Sequence, residues 1–179
     1  MNRKSIYWLS GVVVALVLLS SSVGWTENKS VSKPPVITNA FTVEKIKYGD
    51  ILKVYIEAED PSGEMLRIAT VVEQAGSGRY PTSWVYVKTA DRKHLKGYLQ
   101  WNTFSSRAPF VSEGTPITLT VSVFNKSGKQ SNAYTFPITF ESGVKPASSY
   151  QIPSPFDQGD IANLGSVDVD LIDFTIWRK

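Results

Sequence analysis

Between Pro35 and Glu141, apolar and polar residues alternate in seven short runs, each closed by a cluster of turn-forming residues. The clearest run is Ile51–Glu59. There Leu52, Val54, Ile56 and Ala58 fall on one side and Lys53, Tyr55, Glu57 and Glu59 on the other. A period of two marks a strand with one buried face, because successive side chains leave a strand in opposite directions. The same reading predicts strands over 36–43, 65–73, 83–89, 98–104, 116–125 and 133–141. In the sixth, Ile117, Leu119, Val121 and Val123 line one face against Thr118, Thr120 and Ser122. Pro137 interrupts the seventh, and a residue with no N–H to give a ladder belongs at a sheet edge or a bulge. Trp101, paired with Leu99, is the expected core tryptophan, and Trp84 the surface one.

The punctuation supports this division. Asp60-Pro61-Ser62-Gly63 has proline where a turn needs φ near −65° and glycine where it needs positive φ. Gly76-Ser77-Gly78, Asp91-Arg92-Lys93-His94 and Lys126-Ser127-Gly128-Lys129 close other runs. Seven strands with turn signals every 8–12 residues or so predict an all-β fold, a seven-stranded antiparallel β-sandwich over residues 34–142.

The flanks read differently. Residues 1–24 have a basic start (Arg3, Lys4), an apolar stretch from Ile6 to Leu19, and small residues at Ser22 and Gly24. That is an N-terminal signal helix with cleavage expected after Gly24. The apolar stretch falls short of the roughly 20 residues a spanning helix needs, so the membrane enters only if the segment stays uncleaved. Residues 25–33 form a polar linker, 143–155 a Pro/Ser-rich spacer, and 156–179 a C-terminal segment. Export follows, to a periplasmic, cell-surface or extracellular site.

Three segments resemble bacterial Ig-like and fibronectin-III/cadherin-like modules. They are Tyr48-Gly49-Asp50, Ala58-Glu59-Asp60-Pro61-Ser62-Gly63 and Val123-Phe124-Asn125-Lys126-Ser127-Gly128-Lys129-Gln130-Ser131. The resemblance covers about residues 34–142 and lies in turn chemistry. It implies an Ig-like sandwich and carries over no site.

Composition narrows the function classes. With no cysteine there is no disulfide framework and no thiolate metal site, so the core alone must hold the domain. The formal charge of +3 falls to +1 once Arg3 and Lys4 leave with the signal segment, which gives no footprint for nucleic acid. The chain is expected to be non-catalytic and without cofactor. His94, the single histidine, sits in a charged turn with no Gly-x-Ser-x-Gly elbow to serve it. Glu57, Glu59 and Asp60 lack the two-sided cleft that paired carboxylates require. The stretch 160–171 has Asp160, Gly165 and Asp168 placed as in an EF-hand-like loop. Ala162, Leu164 and Leu171 stand where oxygen ligands are needed, so no metal is expected.

Two contact elements remain. In the C-terminal segment, Val167, Val169, Leu171, Phe174, Ile176 and Trp177 form an apolar set too small to fold alone. It either folds back over its own sandwich edge or adds a strand to another protein. Val169, Leu171, Phe174, Ile176 and Trp177 are the expected anchors for an envelope or extracellular protein partner. The alternative is a carbohydrate-binding or adhesin-like surface on Trp84 and Tyr86, which share a strand face and could stack on a polysaccharide.

Overall fold

The computed structural model describes residues 32–108, 110–145 and 149–172, and its strands stand where the alternation puts them. The expected signal segment 1–24, most of the expected linker, and the expected anchors Phe174, Ile176 and Trp177 lie outside the described residues. In chain order the strands are β1 (Val36–Phe41), β2 (Lys45–Ile46), β3 (Ile51–Glu59), β4 (Met65–Gln74), β5 (Gly78–Arg79), β6 (Ser83–Tyr86), β7 (His94–Asn102), β8 (Pro116–Asn125), β9 (Tyr134–Phe140) and β10 (Asn163–Ser166).

Two boundaries move by three residues or more, each for a local reason. The fourth run stops at Tyr86, because the Val87 N–H turns to the Leu66 carbonyl (2.9 Å) and a 3-10 turn follows at Thr89–Asp91. The fifth begins at His94 rather than at Tyr98. His94 stands opposite Glu59 and Leu95 opposite Ala58, so the charged segment is a turn only as far as Lys93.

The strands form two sheets, ordered β1-β3-β7-β10 and β2-β9-β8-β4-β5, with β6 also paired to β4. The seven expected strands pair antiparallel throughout, while the short β2 and β10 pair parallel to β9 and β7. This is the strand order of an Ig-like sandwich: first, second and fifth main strands in one layer, third, sixth and seventh in the other. Leu52, Val54, Ile56, Leu95, Leu99 and Trp101 from one layer meet Ile68, Val72, Leu119, Val121 and Val123 from the other, all at 1% exposure or less. Pro137 lies on β9, whose outer side carries only the two-residue β2 opposite Thr139 and Phe140. Its missing N–H therefore costs no ladder bond.

Asp60 shows why the Asp-Pro-Ser-Gly turn is stable. Its buried carboxylate accepts the N–H groups of Ser62 (2.9 Å) and Glu64 (3.1 Å) and the Ser62 hydroxyl, and Gly63 takes a φ of 69°. Asn125 does similar work at the β8–β9 turn. Its Oδ1 accepts from the Lys129 N–H (2.9 Å), and its Nδ2 donates to Ser32 Oγ and the Lys33 carbonyl (2.9 Å each).

The C-terminal segment fills the place beside β7 where Ig-like sandwiches put a fourth strand. Phe156 lies on Tyr55, ring centroids 5.6 Å apart, on the outer surface of the first sheet. The Ala162 carbonyl then accepts the Tyr98 N–H (2.9 Å), β10 runs parallel to β7, and the Val167 N–H closes on the Gln100 carbonyl (2.8 Å). Gly97 makes this approach feasible: a Cβ there would stand 2.5 Å from Leu164 Cγ and 2.6 Å from the Ala162 carbonyl oxygen.

Beyond β10 the alternation continues without a ladder. Val167, Val169 and Leu171 are buried in the core while Asp168 and Asp170 face solvent. The segment runs between the two layers, so side chains from both satisfy its backbone. On the β7 side, Trp101 Nε1 donates to the Val169 carbonyl (3.0 Å) and Ser105 Oγ to the Leu171 carbonyl (2.8 Å). On the other side, the Asp168 N–H donates to Ser83 Oγ (2.8 Å) and the Ile172 N–H to the Tyr80 hydroxyl (2.9 Å).

Candidate binding surface

The outer face of the second sheet gathers its aromatic side chains around one arginine. β6 is short and paired on one side to β4, so Trp84 and Tyr86 leave it on the solvent face, 40% and 70% exposed. Phe124 leaves β8 on the same face, opposite to its inward neighbours Val121 and Val123. Arg67 arrives through a bulge in β4. Met65 pairs with Asn125 and Arg67 with Phe124, so one extra residue sits on β4. That insertion lets Met65 and Ile68, three apart, both point inward, and it turns Arg67 outward.

The Arg67 guanidinium lies 4.0 Å from the centre of the Trp84 ring and 5.8 Å from that of Phe124. The two rings meet edge to face with centroids 5.4 Å apart. A cation this close to an aromatic face is attracted by the ring's electron-rich centre. Arg67 Nε is buried and has no hydrogen-bond partner, and Arg67 makes no ion pair among the described residues. Tyr86 stands directly opposite Arg67 across β6 and β4.

The two residues expected on this face are thus together, but in different states. Trp84 has a ring face taken by Arg67, whereas Tyr86 is open. Arg67 and Phe124 were not singled out from the sequence. Phe124 could have been found, since it continues the outward phase of Thr118, Thr120 and Ser122. Arg67 could not, because the bulge shifts the phase of β4 and period-two counting across it fails.

The first sheet presents a second aromatic surface. Tyr55 and Tyr98 are 5.8 Å apart, Lys53 Nζ lies 4.5 Å over Tyr98, and Phe156 covers Tyr55. Beside them a hollow of about 530 Å³ opens between Lys53, Tyr98 and Gln100 on the sheet and Tyr150 and Ile152 on the spacer. Burial raises the Tyr55 phenol above its ordinary value, and Tyr98 adds to the effect.

The remaining candidates disperse. Of the five expected partner anchors, Val169 and Leu171 are packed inside the chain's own sandwich at 7% and 0% exposure. In this arrangement they are satisfied in cis. His94 lies on the open sheet surface, Nε2 3.7 Å from Glu57 and Nδ1 3.6 Å from Glu59, while Asn39 Nδ2 donates to Glu57 (2.7 Å). Asp60 is used up by its own turn. The residues that resemble a calcium loop hold β10 instead, with Asp160, Asp168 and Asp170 exposed along the segment.

No family model matches the sequence, and no curated protein matches it. Among solved structures, the chain is similar to the CARDB domain of a Pyrococcus furiosus protein, determined in complex with di-metal ions. The likeness has 10% identity and a TM-score of 0.33, and it covers 60% of this chain and 87% of that one. At that score it carries no argument, and the β-sandwich stands on its own sheet order.

Proposed function

We propose that this chain is an exported, non-catalytic Ig-like module of a cell-envelope or extracellular assembly, and that it binds polysaccharide through the outer face of its second sheet. The observation that carries the reading is the open Tyr86 ring beside the Trp84–Arg67–Phe124 stack. Rings on a flat sheet offer apolar faces to sugar rings, with polar groups at the margin for their hydroxyls. Export rests on the basic, apolar and small-residue pattern of residues 1–24. The non-catalytic reading is supported by the positions of His94, Glu57 and Glu59, which lie along an outer strand surface.

Pull-down on insoluble polysaccharides tests this. Retention of the mature chain, lost in Tyr86→Ala and weakened in Trp84→Ala, is the expected result. No retention on any polymer defeats it.

A protein partner bound through the C-terminal segment is the second reading. It is favoured by the strand-accepting edge of β7, which β10 extends by main-chain hydrogen bonds. With Val169 and Leu171 committed to the core, this reading falls to Phe174, Ile176 and Trp177. Capture from an envelope extract, comparing the full chain with one ending at Ile172, separates it from the first. A protein held only by the full chain supports docking, and equal capture removes it.

A further inference from the structure

The Trp84–Arg67–Phe124 stack says more about the ligand than aromaticity alone. We infer that the sheet face recognises an acidic polysaccharide, with Tyr86 stacking on a sugar ring and the Arg67 guanidinium receiving the carboxylate of a uronic acid. The inference deepens the polysaccharide reading and rests on it.

Arg67 is the unusual residue of the face. An arginine keeps its charge at any physiological pH, and a partly buried cation ordinarily acquires a carboxylate. This one has two rings within 4.0 and 5.8 Å, a buried Nε without a partner, and no ion pair among the described residues. Its terminal nitrogens are neither bonded to protein nor among the buried unpartnered atoms, so they face solvent. A guanidinium fork packed against two rings can take a planar, two-oxygen anion through parallel N–H···O bonds.

The surroundings leave that anion to come from outside. The outward positions of β4 are Arg67, Ala69, Val71 and Glu73, and those of β8 are Thr118, Thr120, Ser122 and Phe124. The one carboxylate among them, Glu73, is at the far end of β4 and faces Arg79 at 3.9 Å. Among these outward residues of β4 and β8, Arg67 is therefore the positive charge left without a carboxylate. A neutral sugar polymer could answer it only with hydroxyl acceptors, whereas a carboxylate adds opposite charge and a second parallel bond.

The position of Tyr86 supplies the rest. Directly opposed residues on one face of an antiparallel pair have Cβ atoms about 4.5–5.5 Å apart. A sugar stacked on the Tyr86 ring would carry its ring substituents over Arg67. Trp84, whose face is taken, acts as a positioning residue that orients the guanidinium. This reverses the emphasis expected from the sequence, where Trp84 led.

The test compares one polymer with and without its charge. Polygalacturonate and its fully methyl-esterified form present the same sugar rings, and affinity electrophoresis of the full mature chain reads binding to each. Alginate serves as a second uronate and dextran sulfate as a control for charge alone. The expected result is retardation by both uronates at least tenfold stronger than by the methyl ester. Arg67→Gln should lose at least tenfold, Arg67→Lys should not restore it, and Tyr86→Ala should abolish binding. Trp84→Phe, which keeps a ring for the stack, should retain more than Trp84→Ala. Unchanged melting curves show that the variants are folded. Equal binding of the methyl ester, lost in Tyr86→Ala, overturns the acidic ligand and leaves the polysaccharide reading standing. Binding of dextran sulfate as strong as that of the uronates, indifferent to Arg67→Gln, also overturns it. Binding of none of these polymers overturns the inference, and the insoluble-polymer pull-down then decides the broader reading separately.

Discussion

The Tyr80 hydroxyl ties β4 to the C-terminal segment: it donates to Gln74 Oε1 and accepts the Ile172 N–H at 2.9 Å. Burial raises its pKa above the ordinary 10.0, more than the Ile172 hydrogen bond lowers it. Tyr55 is raised as well. A phenol whose folded pKa is raised keeps its proton longer in the folded chain than in the unfolded one. Stability from these groups is therefore complete below pH 10 and falls as pH climbs through and beyond it. Denaturant midpoints measured from pH 8 to 11 should show that decline, and Tyr80→Phe should flatten part of it. Leu171 gives a second expectation at this scale. It is fully buried against both layers, so Leu171→Ala should cost about 2–5 kcal/mol in equilibrium unfolding.

Among the elements, β10 depends most on a single missing side chain. In Gly97→Ala the new Cβ must displace Leu164 or the Ala162 backbone, an overpacking that costs about 1–3 kcal/mol. Hydrogen exchange should localise the damage, with the amides of Tyr98 and Val167 losing protection while those of β8 keep theirs. The element scale is also where reading from sequence succeeded and stopped. Each of the seven alternating runs carries a strand, because inward Leu52, Val54 and Ile56 leave no other way to bury one face. Gly97 gave no such signal: a glycine inside a strand reads as a weakness until the chain that lies against it is known. The run from Val167 to Leu171 was legible as alternating and apolar. What it would touch was not, since its partners (Trp101, Ser105, Ser83 and Tyr80) are more than sixty residues away.

At the scale of the molecule, the sandwich of 34–142 and the segment 156–172 form one core. A chain ended after Ser142 would lack Val167, Val169 and Leu171 and leave the buried Trp101 N–H without its acceptor. Burying apolar side chains of that size is worth roughly 1.5–3 kcal/mol each, and an unpaired buried donor costs about 1–3 kcal/mol. Those losses rival the whole stability of a domain, about 5–15 kcal/mol. The shortened chain should keep strand signal in far-UV circular dichroism and lose the fixed near-UV signal of Trp101. A synthetic peptide of residues 149–172 should bring that signal back. The aromatic face of the second sheet, by contrast, needs only β4, β6 and β8.

The hydrogen bond from Trp101 to Val169 spans 68 residues, and its length sets an order of events during synthesis. As the chain emerges N-terminus first, every main strand can pair before 167–171 emerge, and the flank between the layers stays open until they do. A growing chain thus passes through a stage with strands in place and an indole still facing water. Completion arrives late and all at once, so the state most exposed to proteases and to wrong partners is the one with its strands paired and 167–171 not yet docked.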